Sequence, residues 1–411
     1  MARIIPIQAL QIGQLAASNH HDSDGLRFTG LPPLALYIHL PWCEKKCPYC
    51  DFNSHEISVS GLDAAAQEHY VDALLTDLEI ALPLIWGRPV HSIFIGGGTP
   101  SLFSGAAIDR LLAGVRARVR LDADAEITIE ANPSSAEAAR FSAYAAAGIN
   151  RVSLGIQSFE DAKLNALGRI HGRAEALAAV EVARRAIPNF NLDLMYALPG
   201  QTVVQAQADI DQAIALNPSH ISAYQLTMEA NTWFARHPPP ALPSDDLTID
   251  IEDAVHAALA QAGYQRYEVS AFARTPAQRC RHNLNYWQFG DYLGIGAGAH
   301  GKLTFHDRVL RQVRYKQPRA YLEGIAAAQA VQQQTTISAA ELPFEFMLNA
   351  LRLNEGFTLA MFTERTSLPL LTILPKLGLA EQKGLIVRDH QHLNITPLGQ
   401  RFLNDLQQIF L

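Results

Sequence analysis

The sequence predicts an α/β protein: a parallel sheet curled into a full or partial (β/α) barrel, followed by a small, mainly helical, winged-helix-like C-terminal domain. Three observations carry this. From Leu34 to Thr227 short β-rich runs alternate with helical patterns, and six strands separated by helices imply a parallel sheet that right-handed crossovers curl. The polar residues of those strands gather at or near one end, where such barrels place their sites. Beyond about residue 318 the alternation stops.

The first element is LALYIHL, an apolar run broken at Pro41, which reads as a buried strand feeding the loop PWCEKKCPYCDFNS. Residues 62–82 carry apolar side chains at three- and four-residue intervals, an amphipathic helix. Strands follow at 91–97, 126–132, 151–158, 191–199 and 220–227, with helices between them at 105–118, 135–147, 174–187 and 203–216. The barrel and its extension are expected over 31–317, after a flexible leader at 1–30 and before the C-terminal domain at 318–411. There, 341–353 and 368–384 read as helices, and the remainder as a β-hairpin and a final amphipathic helix.

The loop after the first strand carries Cys43, Cys47 and Cys50 as C-x3-C-x2-C. On one straight helix these thiols would spread over about 10 Å, and Pro48 argues against that helix. A loop can wrap its thiols round one object. Three thiolates can hold three irons of a [4Fe-4S] cube and leave the fourth open. The rival is a zinc ion, which needs four N/S ligands and would have to recruit His39 or His55. A disulfide is disfavoured, because four cysteines in 411 residues fit a reducing compartment. Cys280 reads as a buried or incidental thiol.

With 48% hydrophobic residues the chain can fill a large core. Its net charge of −7 and scattered Lys and Arg give no basic footprint, so a nucleic-acid partner is not expected. No apolar run reaches a membrane span, which leaves at most peripheral membrane contact and a cytoplasmic location.

The C-x3-C-x2-C run after a strand, with Tyr49 just before its third Cys, resembles the radical S-adenosylmethionine (SAM) superfamily. The resemblance implies a [4Fe-4S] cluster on Cys43, Cys47 and Cys50 whose open iron chelates and cleaves SAM. Gly96-Gly97-Gly98-Thr99-Pro100 resembles the GGGTP element of that superfamily, which implies that Gly97, Gly98 and Thr99 meet the methionine amino group. By the same matching, Tyr37, Tyr49, Glu130, Gln157, Arg169 and Asp193 complete the implied SAM contacts, Asp193 as a carboxylate able to accept both ribose hydroxyls.

YIHLPWC, CPYCDF, FIGGGTPS, IEANP, SLGIQSF, LGRIHGR and LDLMYALPGQT resemble the oxygen-independent coproporphyrinogen III oxidase group. The oxidase branch has a fourth Cys where this chain has Phe52. The HemW-type heme chaperone branch lacks it and has an H-N-x-x-Y-W element, here His282-Asn283-Leu284-Asn285-Tyr286-Trp287. The chain therefore resembles the heme chaperones, which implies heme binding and delivery to hemoproteins of the respiratory chain. Coproporphyrinogen III dehydrogenation by a SAM-derived radical is the alternative, and whether SAM is cleaved stays open. His282 is the candidate heme ligand, since imidazole is a common axial ligand, with His300 of GIGAGAHG a weaker candidate for heme or SAM. That glycine-rich stretch reads as close backbone packing at the barrel's edge, not as a dinucleotide loop. Acidic residues such as Glu345, Glu355 and Glu381 offset the C-terminal cations, so a cofactor- or partner-covering role is expected there instead of DNA binding. Dimerisation is left open.

Overall fold

A computed structural model describes residues 25–57, 62–134 and 139–411. Its centre is six parallel strands, β1 (Leu34–Leu40), β2 (Val90–Gly97), β3 (Leu121–Ala131), β4 (Arg151–Gln157), β5 (Phe190–Tyr196) and β6 (His220–Gln225), hydrogen-bonded in sequence order. Both faces of β1 are buried, as expected of a parallel strand covered by helices. Between the strands run α1 (Ala64–Ile85), α2 (Gly105–Arg118), α3 (Phe141–Ala147), α4 (Arg173–Ala186) and α5 (Val203–Ala215). Their starts follow from local chemistry: Asp63, Ser104 and Thr202 each accept a backbone N–H of the first helical turn. The predicted start of the helix at 135–147 falls outside the described residues.

The sheet is larger than the alternation suggests. Later strands β7 (Gln265–Glu268), β8 (Ala271–Ala273), β9 (Asp291–Ile295), β10 (His300–Thr304), β11 (Val309–Arg314) and β12 (Val331–Ile337) extend it to twelve, ordered β12-β11-β10-β9-β1-β2-β3-β4-β5-β6-β8-β7. Strand β9 joins β1 in parallel, whereas the outer additions are antiparallel. Among the described residues no pairing joins β7 to β12, so the result is a partial barrel. GIGAGAHG turns β9 into β10 inside the sheet, not at its edge. There a Cβ at Gly298, whose φ is +82°, would lie 2.2 Å from the Asn53 amide.

A second core belongs to the C-terminal part: α6 (Leu342–Ala350), α7 (Leu359–Thr366), α8 (Leu374–Gln382) and a three-stranded sheet of residues 357–358, 386–388 and 392–395. Helix α7 was not expected, and the final helix is two short ones, Pro397–Arg401 and Leu403–Gln408. Residues 1–24 of the expected leader lie outside the described residues. Its last part does not behave as a leader: Leu26 is buried in this second core and the Arg27 N–H donates to Ser367 Oγ at 2.7 Å. Ion pairs Arg311–Glu345, Arg279–Glu355 and Arg352–Glu268 join the C-terminal part to the barrel. Among the described residues no helix is long and apolar enough to cross a membrane.

Candidate functional site

The cysteine loop is held at its ends by backbone. His55 N–H donates to Pro41 O and Ile57 N–H to Cys43 O, which closes the loop on itself. Gly98 N–H donates to Leu40 O and Thr99 N–H to Trp42 O, binding the glycine run to the loop's entrance. A Cβ on Gly97, at φ +115°, would sit 2.4 Å from the His39 ring. Only glycine lets these two segments meet.

Asn53 locks the far side. Its side-chain amide donates to Ala297 O at 2.9 Å and Lys316 O at 2.8 Å, while its main-chain carbonyl accepts from His39 Nε2 at 2.8 Å. A carbonyl can only accept, so Nε2 carries the proton and Nδ1 takes the Tyr37 hydroxyl at 3.0 Å. Both nitrogens of His39 are thus engaged, which removes it as a zinc ligand. Among the described residues no three His, Cys, Asp or Glu side chains converge on a single metal ion. Tetrahedral zinc would need its sulfurs about 3.8 Å apart. A cluster, in which each sulfur bonds a different iron, asks for a wider set.

The thiols sit where ionisation needs help. Burial raises Cys43 and pushes Cys50 up to about 11. Compensation is at hand: Thr99 Oγ1 donates to Cys43 Sγ and an Arg169 guanidinium N–H to Cys47 Sγ, each at 3.5 Å. Arg169 also donates to Asn132 Oδ1 at 2.7 Å and Gly155 O at 2.8 Å, tying the loop to β4. Tyr49 packs against Phe234, and burial raises its phenol. A bound cation fits beside such thiols, so the donor set suits an iron cluster.

Facing the loop, Glu130 accepts the Gly97 N–H at 3.1 Å. Gln157, in the left-handed region at φ +68°, ends β4 and accepts the Tyr224 hydroxyl at 2.9 Å. Asp193 departs from expectation: it lies in the middle of β5, not at its end, and is bonded to Ser153 at 2.7 Å and Asn191 at 2.8 Å. It is near enough to Glu130 to act on its ionisation. Burial first, then Asp193, raises Glu130 from 4.5 to about 7. The folded chain keeps that proton between these values while the unfolded chain has released it. Stability is therefore lost as pH climbs from about 4.5 to about 7, by at most about 3 kcal/mol. Glu130→Gln should raise the urea midpoint of the ligand-free protein near pH 8 and leave it unchanged at the acid end; equal midpoints at both would refute this.

His282, the expected heme contact, is held inside the fold. It starts the helix Arg281–Trp287, is buried, stacks on Phe94 at 5.1 Å, and has Nδ1 against Ser92 Oγ (3.2 Å) and Nε2 against Tyr286 OH (3.3 Å). Burial first, then His91 and Arg151, lowers its pKa to about 3. Both ring nitrogens are thus engaged, one of them by Tyr286, which lines the cleft. Cys280 is buried as expected, its Sγ 3.6 Å from Glu126. Tyr37, Glu130, Tyr286, Trp287 and His300 face one cleft of about 2780 Å³ that Glu345 and Arg352 of the C-terminal part also line. Sequence reasoning missed Asn53 and Tyr224, whose roles depend on partners distant in sequence.

Residues 37–213 match the Radical SAM superfamily and residues 337–402 the HemN C-terminal domain. The chain is 49% identical over 383 residues to the heme chaperone HemW of Escherichia coli (strain K12), covering 93% of this chain and 99% of that protein. It is 47% identical to the Haemophilus influenzae heme chaperone HemW, covering 93% and 98%. Radical S-adenosyl methionine domain-containing protein 1, mitochondrial, of Bos taurus is 35% identical, with 90% and 86% covered. Among solved structures, coproporphyrinogen III oxidase (HemN) from Escherichia coli, a radical SAM enzyme, superposes with a TM-score of 0.78 at 24% identity over 92% of this chain and 90% of that one.

Proposed function

Because the chain belongs to the HemW heme chaperone family of radical SAM proteins, we propose that it takes heme into the cleft and passes it to respiratory hemoproteins. Membership of the superfamily implies a [4Fe-4S] cluster and SAM, and Cys43, Cys47 and Cys50 are the residues to hold that cluster. When bound, it supplies an open iron for SAM and the electron that can cleave it.

The chain's own residues do the rest. Gly97, Gly98 and Thr99 bring backbone close to the methionine end of SAM, and Glu130 offers a carboxylate to its ammonium. Gln157, Arg169 and Asp193 form the wall beyond, with Tyr37 and Tyr49 packing at either side. The observation that carries the reading is the shared cleft: loop, Glu130 and aromatic wall open into one space, large enough for a macrocycle. The exposed Phe52, where the oxidase branch has Cys, favours carriage over porphyrin chemistry.

Protein reconstituted anaerobically with iron and sulfide should hold about four of each per chain. It should also bind heme with a saturable Soret band and leave coproporphyrinogen III unchanged. Appreciable protoporphyrinogen formation would overturn the chaperone assignment.

A further inference from the structure

Register places a second histidine, His300, on the wall of the cleft. In the parallel pair, Tyr37 of β1 lies opposite Gly294 of β9, so Tyr292, two residues earlier, shares its face. Tyr292 in turn lies opposite Lys302 of β10, which puts His300 on that same face, and Lys302 lies opposite Arg311 of β11. The Arg311 guanidinium donating to the Tyr292 hydroxyl at 3.2 Å confirms the shared face. His300 is exposed at its cleft-facing end of β10, and among the described residues no hydrogen bond engages its ring nitrogens. His282 has both occupied.

We propose that His300 supplies the axial nitrogen to the iron of a heme seated in the cleft, with Tyr286 and Tyr292 against the macrocycle and Lys316 facing its propionates. This rests on the heme chaperone reading and names the side chain that reading lacks. The two tyrosine rings meet edge-on at 4.5 Å, a rigid apolar wall for a flat ligand. Trp287 beside them is clamped by the Arg352 guanidinium at 4.2 Å from its ring. Lys316 is exposed on the cleft and close enough to His300 to act on its ionisation. Arg311 lines the same space, so two cations stand beside His300 and favour a ligand that brings carboxylates with it.

The test is ferric heme titrated into the full-length protein, His300→Ala, His300→Met and His282→Ala, followed by absorbance. His300→Ala is expected to shift the Soret band and weaken binding at least about ten-fold, the weight of one good ligand contact. His300→Met should move the band differently again, with far-ultraviolet circular dichroism and iron-sulfide content unchanged in both. His282→Ala, which takes a partner from Tyr286 but no nitrogen from the iron, should keep the band position of the wild type, any loss being one of affinity; a band shifted as in His300→Ala would overturn the assignment. If the wild type binds heme and His300→Ala binds it with the same band and affinity, the ligand is wrong and the chaperone reading stands. If the wild type takes up no heme, both fall.

Discussion

Serine in place of Cys43, Cys47 or Cys50 should bring iron and acid-labile sulfide in anaerobically reconstituted protein down to background, while Cys280→Ser should leave both at wild-type levels. Ser differs from Cys by one atom and keeps the loop's backbone bonds, so the loss would be one of ligation and not of folding. The contrast with Cys280 makes the test specific, since that thiol is buried against Glu126 on the far side of the barrel interior. Among the three, Cys43 and Cys50 are the ones whose burial opposes ionisation, so metal binding there must displace a proton held tightly. Cluster assembly should accordingly release protons and proceed faster as pH rises. Retention of a full complement of iron and sulfide by any one of the three serine variants would remove the cluster from this loop.

The cysteine loop itself was legible because it is local. Three thiols within eight residues, a proline that forbids a helix and a strand immediately before them are all visible without knowing what folds against what. The six parallel strands were legible for a related reason: each is a short β-rich run set between helical patterns. The strands that widen the sheet were not. VQQQTTI, which became β12, is polar along most of its length and exposed at its centre, as an edge strand is. The glycines of GIGAGAHG conceal the turn from β9 into β10. Asp193 was misplaced because strand ends were inferred from polarity, whereas it lies within the polar interior of the barrel, bonded to Ser153 and Asn191. His282 could not be judged from its motif alone. Its two nitrogens are engaged by Ser92, which is 190 residues earlier, and by Tyr286 on its own helix.

The largest effect on stability should come from Asp77, which no motif marks. It lies fully buried on α1 and accepts from Arg314 at 3.0 Å, from the Tyr321 hydroxyl at 2.9 Å and from the Gly296 N–H at 3.1 Å. Arg314 is itself 1% exposed. Asp77→Ala would leave a guanidinium in the core without its counter-charge, and removing one partner of such a pair costs about 3–5 kcal/mol. Replacing both by apolar side chains, Asp77→Leu with Arg314→Met, should recover most of that, because neither charge is then stranded. Urea midpoints of the single and double variants decide this, and a cost below about 1 kcal/mol for Asp77→Ala would sink it. The consequence reaches the site. Gly296 adjoins Ala297, whose N–H donates to Tyr70 and whose carbonyl accepts from Asn53, and Tyr70 donates to His39 O. Asp77→Ala should therefore also free the far side of the cysteine loop, and the reconstituted variant should lose its cluster in air faster than wild type at a temperature where both remain folded.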